Sequence, residues 1–223
     1  MEIKANLKRF NEELENHNCR LVAVSKTKSN AMIMEAYEAG QRYFGENKVQ
    51  DLTKKFGELP KDICWHMIGH LQRNKVKYIT PFVHLIHGVD SQKLLMEINK
   101  QGEKHDRQIN CLLQIHIATE ESKFGFDEDE LMNLFDSDAI ANLNHVKLNG
   151  LMGMATYTSN ENLIRSEFQA LRELFEKINM NYTLPNLDFT EISMGMSGDY
   201  KIAIEEGSTL IRIGTSIFGE RNY

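Results

Sequence analysis

Proline is scarce in this 223-residue chain, at 3, and glycine is modest, at 14. That leaves no Pro-rich tail and no Gly/Ser linker, the usual compositions of a spacer. Cysteine is equally rare. Cys19, Cys64 and Cys111 are odd in number, far apart and without a CxxC pair, which speaks against a disulfide framework or a zinc ribbon. A reducing compartment suits them. No run approaches the ~18 apolar residues of a membrane span, and the opening MEIKANLKRFNEELENH lacks the apolar core of a signal peptide. A cytoplasmic protein is expected. Positive charge is short too: 26 Lys+Arg face 32 Asp+Glu, for a net charge of −6. The densest basic spots are KTK at 26–28 and the pair Lys54–Lys55, far less than a duplex-binding face needs.

What remains is 41% hydrophobic and 26% charged, the balance of a globular protein. A chain of this length buries well over half of its unfolded surface, so its core needs neither disulfide nor metal. Eight short apolar runs are spaced along it: 21–25, 42–45, 63–69, 83–90, 109–117, 146–155, 187–195 and 209–214. Their near-continuous hydrophobicity suits strands covered on both faces of a parallel sheet. Between them lie helical patterns. Ile164, Phe168, Leu171, Phe175 and Ile178 form one stripe, and Ile3, Leu7, Phe10 and Leu14 repeat the rhythm before the first strand. The pattern predicts an α/β protein, one (β/α)8 TIM barrel over 1–223 with an extra N-terminal helix. A doubly wound open sheet is the alternative. In a barrel, chemistry belongs at the C-terminal ends of the strands, with phosphate commonly held after strands seven and eight.

Lys26 closes the first run. Val22, Val24 and Lys26 alternate onto one face, so the ammonium projects at the barrel mouth. Burial and the nearby Lys28 would favour a neutral amine, the form that attacks a carbonyl. Taken alone, a solvated strand-end lysine explains the segment more simply. After the seventh run, Ser197, Gly198 and Asp199 start a helix that Gly207 ends, and small residues at such a start leave N–H groups for an anion. After the eighth, Gly214 permits close approach and Thr215 offers an N–H and a hydroxyl. Helix capping and a tight turn are the plain alternatives; together, opposite Lys26, these groups suit a phosphorylated aldehyde.

Other polar positions carry less. His66 and His70 on a strand would lie ~13 Å apart, too far to share a metal, and are expected as packed or rim histidines. Asn47, after Glu46, could cap the next helix or face a ligand. Met152, Met154, Met194 and Met196 read as core or barrel lining. Glu120, Glu121 and Lys123 read as a solvated loop.

The segments VAVSKTK (22–28), FGEN (44–47), WHMIGHLQRNK (65–75), LMGMA (151–155), MGMSGDY (194–200) and IRIGTSIFG (211–219) occur in an order that strongly resembles the pyridoxal phosphate homeostasis protein family. The resemblance runs from about Leu21 to Phe218. It implies a barrel of the alanine racemase N-terminal type, fold type III among proteins of pyridoxal 5′-phosphate (PLP). It also implies PLP binding and control of PLP level and delivery, without an established reaction. By position, Lys26 matches the PLP-bearing lysine, joined to it as an internal aldimine. Ser197 and Gly198 match helix-end phosphate contacts, and Gly214 with Thr215 match strand-eight backbone contacts. Asn47 matches a side-chain neighbour of the cofactor. Arg212 matches an arginine that in related racemases faces the pyridine nitrogen; ring and phosphate both stay open as its partner. Departures fall at Ser29 (usually Pro), Lys48 (usually Tyr), His116 (usually Asn) and Phe124 (usually small).

The resemblance supports a PLP carrier passing its cargo to apo PLP-dependent enzymes. An amino-acid racemase would need a second acid–base group on the other ring face, which the resembling racemases take from a tyrosine in an additional C-terminal domain of a partner subunit. The sequence ends at Tyr223, shortly after the eighth run, so that domain and the dimer it builds are not expected; a monomer is. A Schiff-base aldolase is the third reading.

Overall fold

The computed structural model describes residues 2–119, 124–137 and 139–220. The loop reading of Glu120, Glu121 and Lys123, and the terminus at Tyr223, lie outside them.

All eight apolar runs become strands: β1 (Arg20–Val24), β2 (Tyr43–Glu46), β3 (Cys64–Met67), β4 (Leu85–Val89), β5 (Ile109–Gln114), β6 (Val146–Met152), β7 (Leu187–Ser193) and β8 (Leu210–Ile213). They pair in chain order, all parallel. β1 closes the barrel on β8, with Arg20 opposite Leu210 and Ala23 opposite Ile213. The open-sheet alternative is thereby excluded. The register slips between Leu148 and Gly150. Gly150 sits at φ +148, where a Cβ would fall 1.8 Å from the Glu191 carbonyl oxygen, so no side chain fits.

The helices are α1 (Glu2–Leu14), α2 (Asn30–Glu38), α3 (Val49–Glu58), α4 (Val76–Ile79), α5 (Gln92–Lys104), α6 (Glu128–Asp136), α7 (Glu161–Asn181), α8 (Tyr200–Glu205) and α9 (Thr215–Phe218). Local chemistry starts several of them. The side chains of Ser29, Ser91 and Asn160 accept from the N–H groups of Met32, Leu94 and Leu163, and Asp127 forms a capping box with Glu130. Ser29, one of the departures from the resembling family, thus caps α2. Ile3, Leu7, Phe10 and Leu14 of α1 are all buried. This extra helix packs on α2 and α9, where Asn6 donates to the Ile217 carbonyl at 3.1 Å.

Two apolar layers result. The larger lies between strands and helices and includes Leu21, Ala23, Ile211 and Ile213. The smaller fills the barrel interior with Val22, Leu85, Leu112, Met152 and Leu210. Since side chains alternate along a strand, Val24 and Arg212 point inward above that plug, toward the C-terminal mouth. The interior layer makes a floor, and the mouth above it stays open.

Candidate functional site

The mouth holds a cavity of ≈ 740 Å³, lined by Lys26, Asn47, Ser197, Gly198, Arg212, Gly214 and Thr215 among others. All seven candidate residues therefore meet in one place, although they come from the ends of β1, β2, β7 and β8. Asn47 faces the cavity and does not cap the following helix: the N-cap of α3 is Lys48, without a side-chain bond.

Lys26 is half-buried on a tight turn, in which the Lys28 N–H donates to the Ser25 carbonyl at 3.0 Å. Thr27 takes φ +65 there, a left-handed conformation costing a β-branched residue on the order of 1–3 kcal/mol. Ordered surroundings must hold it. Ser25 is fully buried and donates to Glu46 Oε1 at 2.5 Å. Lys55 reaches the same oxygen at 2.7 Å and the Ser25 carbonyl at 2.9 Å. Burial raises the Glu46 carboxyl above its ordinary value while Lys55 and Ser25 pull it back. Lys28 does not face the cavity; its ammonium binds the carbonyls of Phe218, Gly219 and Glu220 at 3.3, 2.9 and 2.8 Å. The expected help of Lys28 in neutralising Lys26 is thus replaced by a tie from β1 to the end of α9.

Across the mouth, Arg212 is buried. Its Nη1 donates to Ser193 Oγ at 2.5 Å and its Nη2 to the Gly153 carbonyl at 3.1 Å. Burial lowers its pKa to about 10, with Asp199 acting the other way. The guanidinium stays cationic at neutral pH, with further N–H groups left for a ligand. The loop 194–199 is shaped by Asp199, whose Oδ1 accepts the Met196 N–H at 2.5 Å while the N–H groups of Asp199 and Tyr200 return to the Met196 carbonyl. No turn hydrogen bond among the described residues uses the N–H groups of Ser197 or Gly198. A Cβ at Gly198 would meet nothing within 4 Å, whereas one at Gly214 would touch Val24 at 3.3 Å. One glycine opens onto the cavity; the other lets β8 close against β1.

The remaining candidates sort as packing alone would arrange them. His66 is buried inside β3, and His70 sits at the rim against Asp90 (3.0 Å) and the Phe124 ring (centroids 4.9 Å apart). Met152 and Met194 are core, while Met154 and Met196 line the cavity half-exposed. Gly69 is a lining residue that the sequence reading passed over. A Cβ there would lie 2.5 Å from the Asn47 carbonyl oxygen, so only glycine lets the two loops pass. Also missed were Lys55, Ser193 and His87, polar side chains buried around the barrel. For His87 and Ser193 the signal is a polar residue interrupting an apolar run, as in LIHGV and EISMG; Lys55, within LTKKFG, carries no such signal. Among the described residues no group of three or more His, Cys, Asp or Glu is placed to hold a metal, and no helix is long and apolar enough to cross a membrane.

Known proteins share this fold. The family model of the alanine racemase N-terminal domain matches residues 1–222. The pyridoxal phosphate homeostasis protein of Aquifex aeolicus is 41% identical over 208 residues, covering 92% of this chain and 89% of that protein. Its counterpart from Haemophilus influenzae is 40% identical over 216 residues, at 95% and 90% coverage. PipY of Synechococcus elongatus, solved with PLP bound, is 34% identical with a TM-score of 0.87, over 97% of this chain and 100% of that one. Alanine racemase of Bartonella henselae, with covalently bound pyridoxal phosphate, shares only the fold. Its TM-score is 0.71 at 15% identity, over 100% of this chain and 61% of that one. By its barrel and by these relatives, the chain belongs to the pyridoxal phosphate homeostasis protein family, built on the alanine racemase N-terminal fold.

Proposed function

We propose that the chain binds PLP in the mouth cavity and serves vitamin B6 homeostasis as a carrier, with no reaction of its own. The observation that carries this reading is the convergence of Lys26, Arg212 and the two turns at 197–198 and 214–215 on one cavity. Its volume lies in the range of small-molecule sites, ~300–1,000 Å³. The donor set fits the cofactor: a primary amine for an aldehyde, N–H groups of 197–198 and 214–215 for a phosphate, and one buried cation between them. When bound, PLP supplies an aldehyde carbon open to attack by an amine.

In this reading Lys26 anchors the cofactor, Ser197, Gly198, Gly214 and Thr215 hold its phosphate, and Asn47 flanks the ring. Arg212 would meet either the ring nitrogen or the phosphate. At the ring nitrogen, a permanent cation would disfavour a proton and weaken the ring as an electron sink, which suits storage over catalysis. The PLP bound to PipY, at 34% identity, supports the ligand, and the names of the homeostasis proteins support the non-catalytic role. We read 1–223 as one domain acting as a monomer in the cytoplasm and passing PLP to apo PLP-dependent enzymes.

The test is direct. Purified protein incubated with PLP should develop a visible absorption band, and borohydride should then fix a pyridoxyl mass on the peptide containing Lys26. A protein that stays colourless overturns the carrier reading. Inversion of alanine chirality at enzyme-like rates would replace it with a racemase.

A further inference from the structure

Below Arg212 a line of buried polar side chains descends through the barrel, and no role in ligand contact accounts for it. Ser193 Oγ, at the end of β7, accepts from Arg212 Nη1 at 2.5 Å and lies 2.9 Å from His87 Nδ1 on β4. His87 Nε2 lies 2.8 Å from His66 Nδ1 on β3. Ser193, His87 and His66 are 0%, 0% and 1% exposed, so bulk water cannot complete their bonding. His66 Nε2 is left without a partner. Below it His66 stacks on His84 (centroids 5.3 Å apart) and meets Tyr43 edge-on; the Arg20 guanidinium lies 5.4 Å from the Tyr43 ring centroid.

The directions of these bonds follow from donor counting. Arginine only donates, so Ser193 Oγ is an acceptor toward Arg212. Both imidazoles are neutral: burial first, and then His84 beside His66 and His66 beside His87, hold them well below the ordinary histidine value. A neutral ring carries one N–H. If His87 donated from Nδ1 to Ser193, the Ser193 hydroxyl proton would have no acceptor among the described groups, and His66 Nε2 would be a bare lone pair. If the Ser193 hydroxyl donates to His87 Nδ1, then His87 donates from Nε2 to His66 Nδ1. Only the final N–H of His66 then goes unpaired. The second arrangement strands one buried group in place of two, and stranding is the larger cost.

The geometry points to Ser193, His87 and His66 as positioning residues for Arg212: a one-way hydrogen-bond chain, running from the guanidinium toward the barrel floor. It fixes one edge of the arginine so that the other faces the cavity. Every link donates in the same direction, an order in which each bond polarises the next. Because both rings stay neutral, Arg212 is the sole cation of the chain. The Gly153 carbonyl fixes the second amino group, so without Ser193 the guanidinium can pivot about that contact. The effect on ligand binding rests on the PLP reading above; the tautomers do not.

Long-range 15N–1H correlation spectra of the histidine-labelled full chain, recorded without PLP, should show His87 and His66 both protonated at Nε2 and bare at Nδ1. Ser193→Ala should perturb the His87 Nδ1 signal and weaken PLP binding, followed by absorbance, about tenfold, the scale of one hydrogen bond to a charged group. Ser193→Thr, which keeps the hydroxyl, should restore both. A proton on His87 Nδ1 overturns the proposal. So does a Ser193→Ala protein that folds and binds PLP as tightly as the parent. If the parent takes up no PLP while both rings show the expected tautomers, the carrier reading fails and the chain stands.

Discussion

The Ser25 hydroxyl donates to Glu46 Oε1 at 2.5 Å, one residue before Lys26, and so ties the end of β1 to the end of β2. Lys55 of α3 joins the same carboxylate, which places a buried ion pair directly beneath the lysine turn. The turn that carries Lys26 and the strained Thr27 starts from this anchor.

Removing one member of a buried pair costs more than the pair contributes. Lys55→Met should destabilise the fold by about 3 kcal/mol at pH 7. Glu46 already lies above its ordinary value, and without the ammonium it rises further. A carboxyl raised in the fold favours the fold when protonated, so part of the loss should return as pH falls toward 5. Urea unfolding at pH 7 and pH 5 measures this; an equal deficit at both values would show that Glu46 is not the group left stranded.

Lys26→Ala should leave stability within about 0.5 kcal/mol, since a half-exposed side chain at a strand end adds little to the core. It should abolish borohydride-fixed PLP. Thermal unfolding and peptide mapping on one preparation check both halves.

Two histidines buried neutral make the fold sensitive to acid. The values of His66 and His87 are lowered in the fold from 6.5, so below that pH the unfolded chain takes protons that the folded one refuses. Stability should be full above pH 6.5 and fall below it, by about 1.4 kcal/mol per pH unit for each histidine. Glu46 and Asp199, whose values are raised, act with the opposite sign nearer their own range. Chemical denaturation from pH 7 to 5 gives the slope, to which His84, also lowered by burial, adds its part, and His87→Gln should reduce it by about 1.4 kcal/mol per pH unit.

Gly69→Ala should destabilise by about 1–3 kcal/mol and weaken PLP binding, because the new methyl meets backbone at Asn47 that has nowhere to go. Calorimetric titration of the folded variant with PLP tests this; unchanged affinity would mean that Asn47 lies outside the contact set.

Much of the architecture was legible because burial patterns are local. Ile3, Leu7, Phe10 and Leu14 mark α1 by spacing alone, and runs such as LLQIHI can be satisfied only by a strand covered on both sides. The alternation of Val22 and Val24 points toward the mouth, and Lys26 lines the cavity from the turn that follows β1. The partner of Lys28 was not legible: its ammonium meets carbonyls about 190 residues away, at Phe218, Gly219 and Glu220. Nor did anything in the order of residues join Glu46 to Lys55 as the support of Ser25.

By itself, then, the sequence determined eight strands, their covering helices, and the residue types at the strand ends, since periodicity and turn chemistry act over a few residues. Only the tertiary structure decided which inward-pointing groups meet. His87 and Ser193 are 106 positions apart and touch because a closed parallel barrel with this register brings β4 and β7 together across its interior. Closure turns isolated polar interruptions into one connected line beneath Arg212, and that geometry exists in no single segment of the chain.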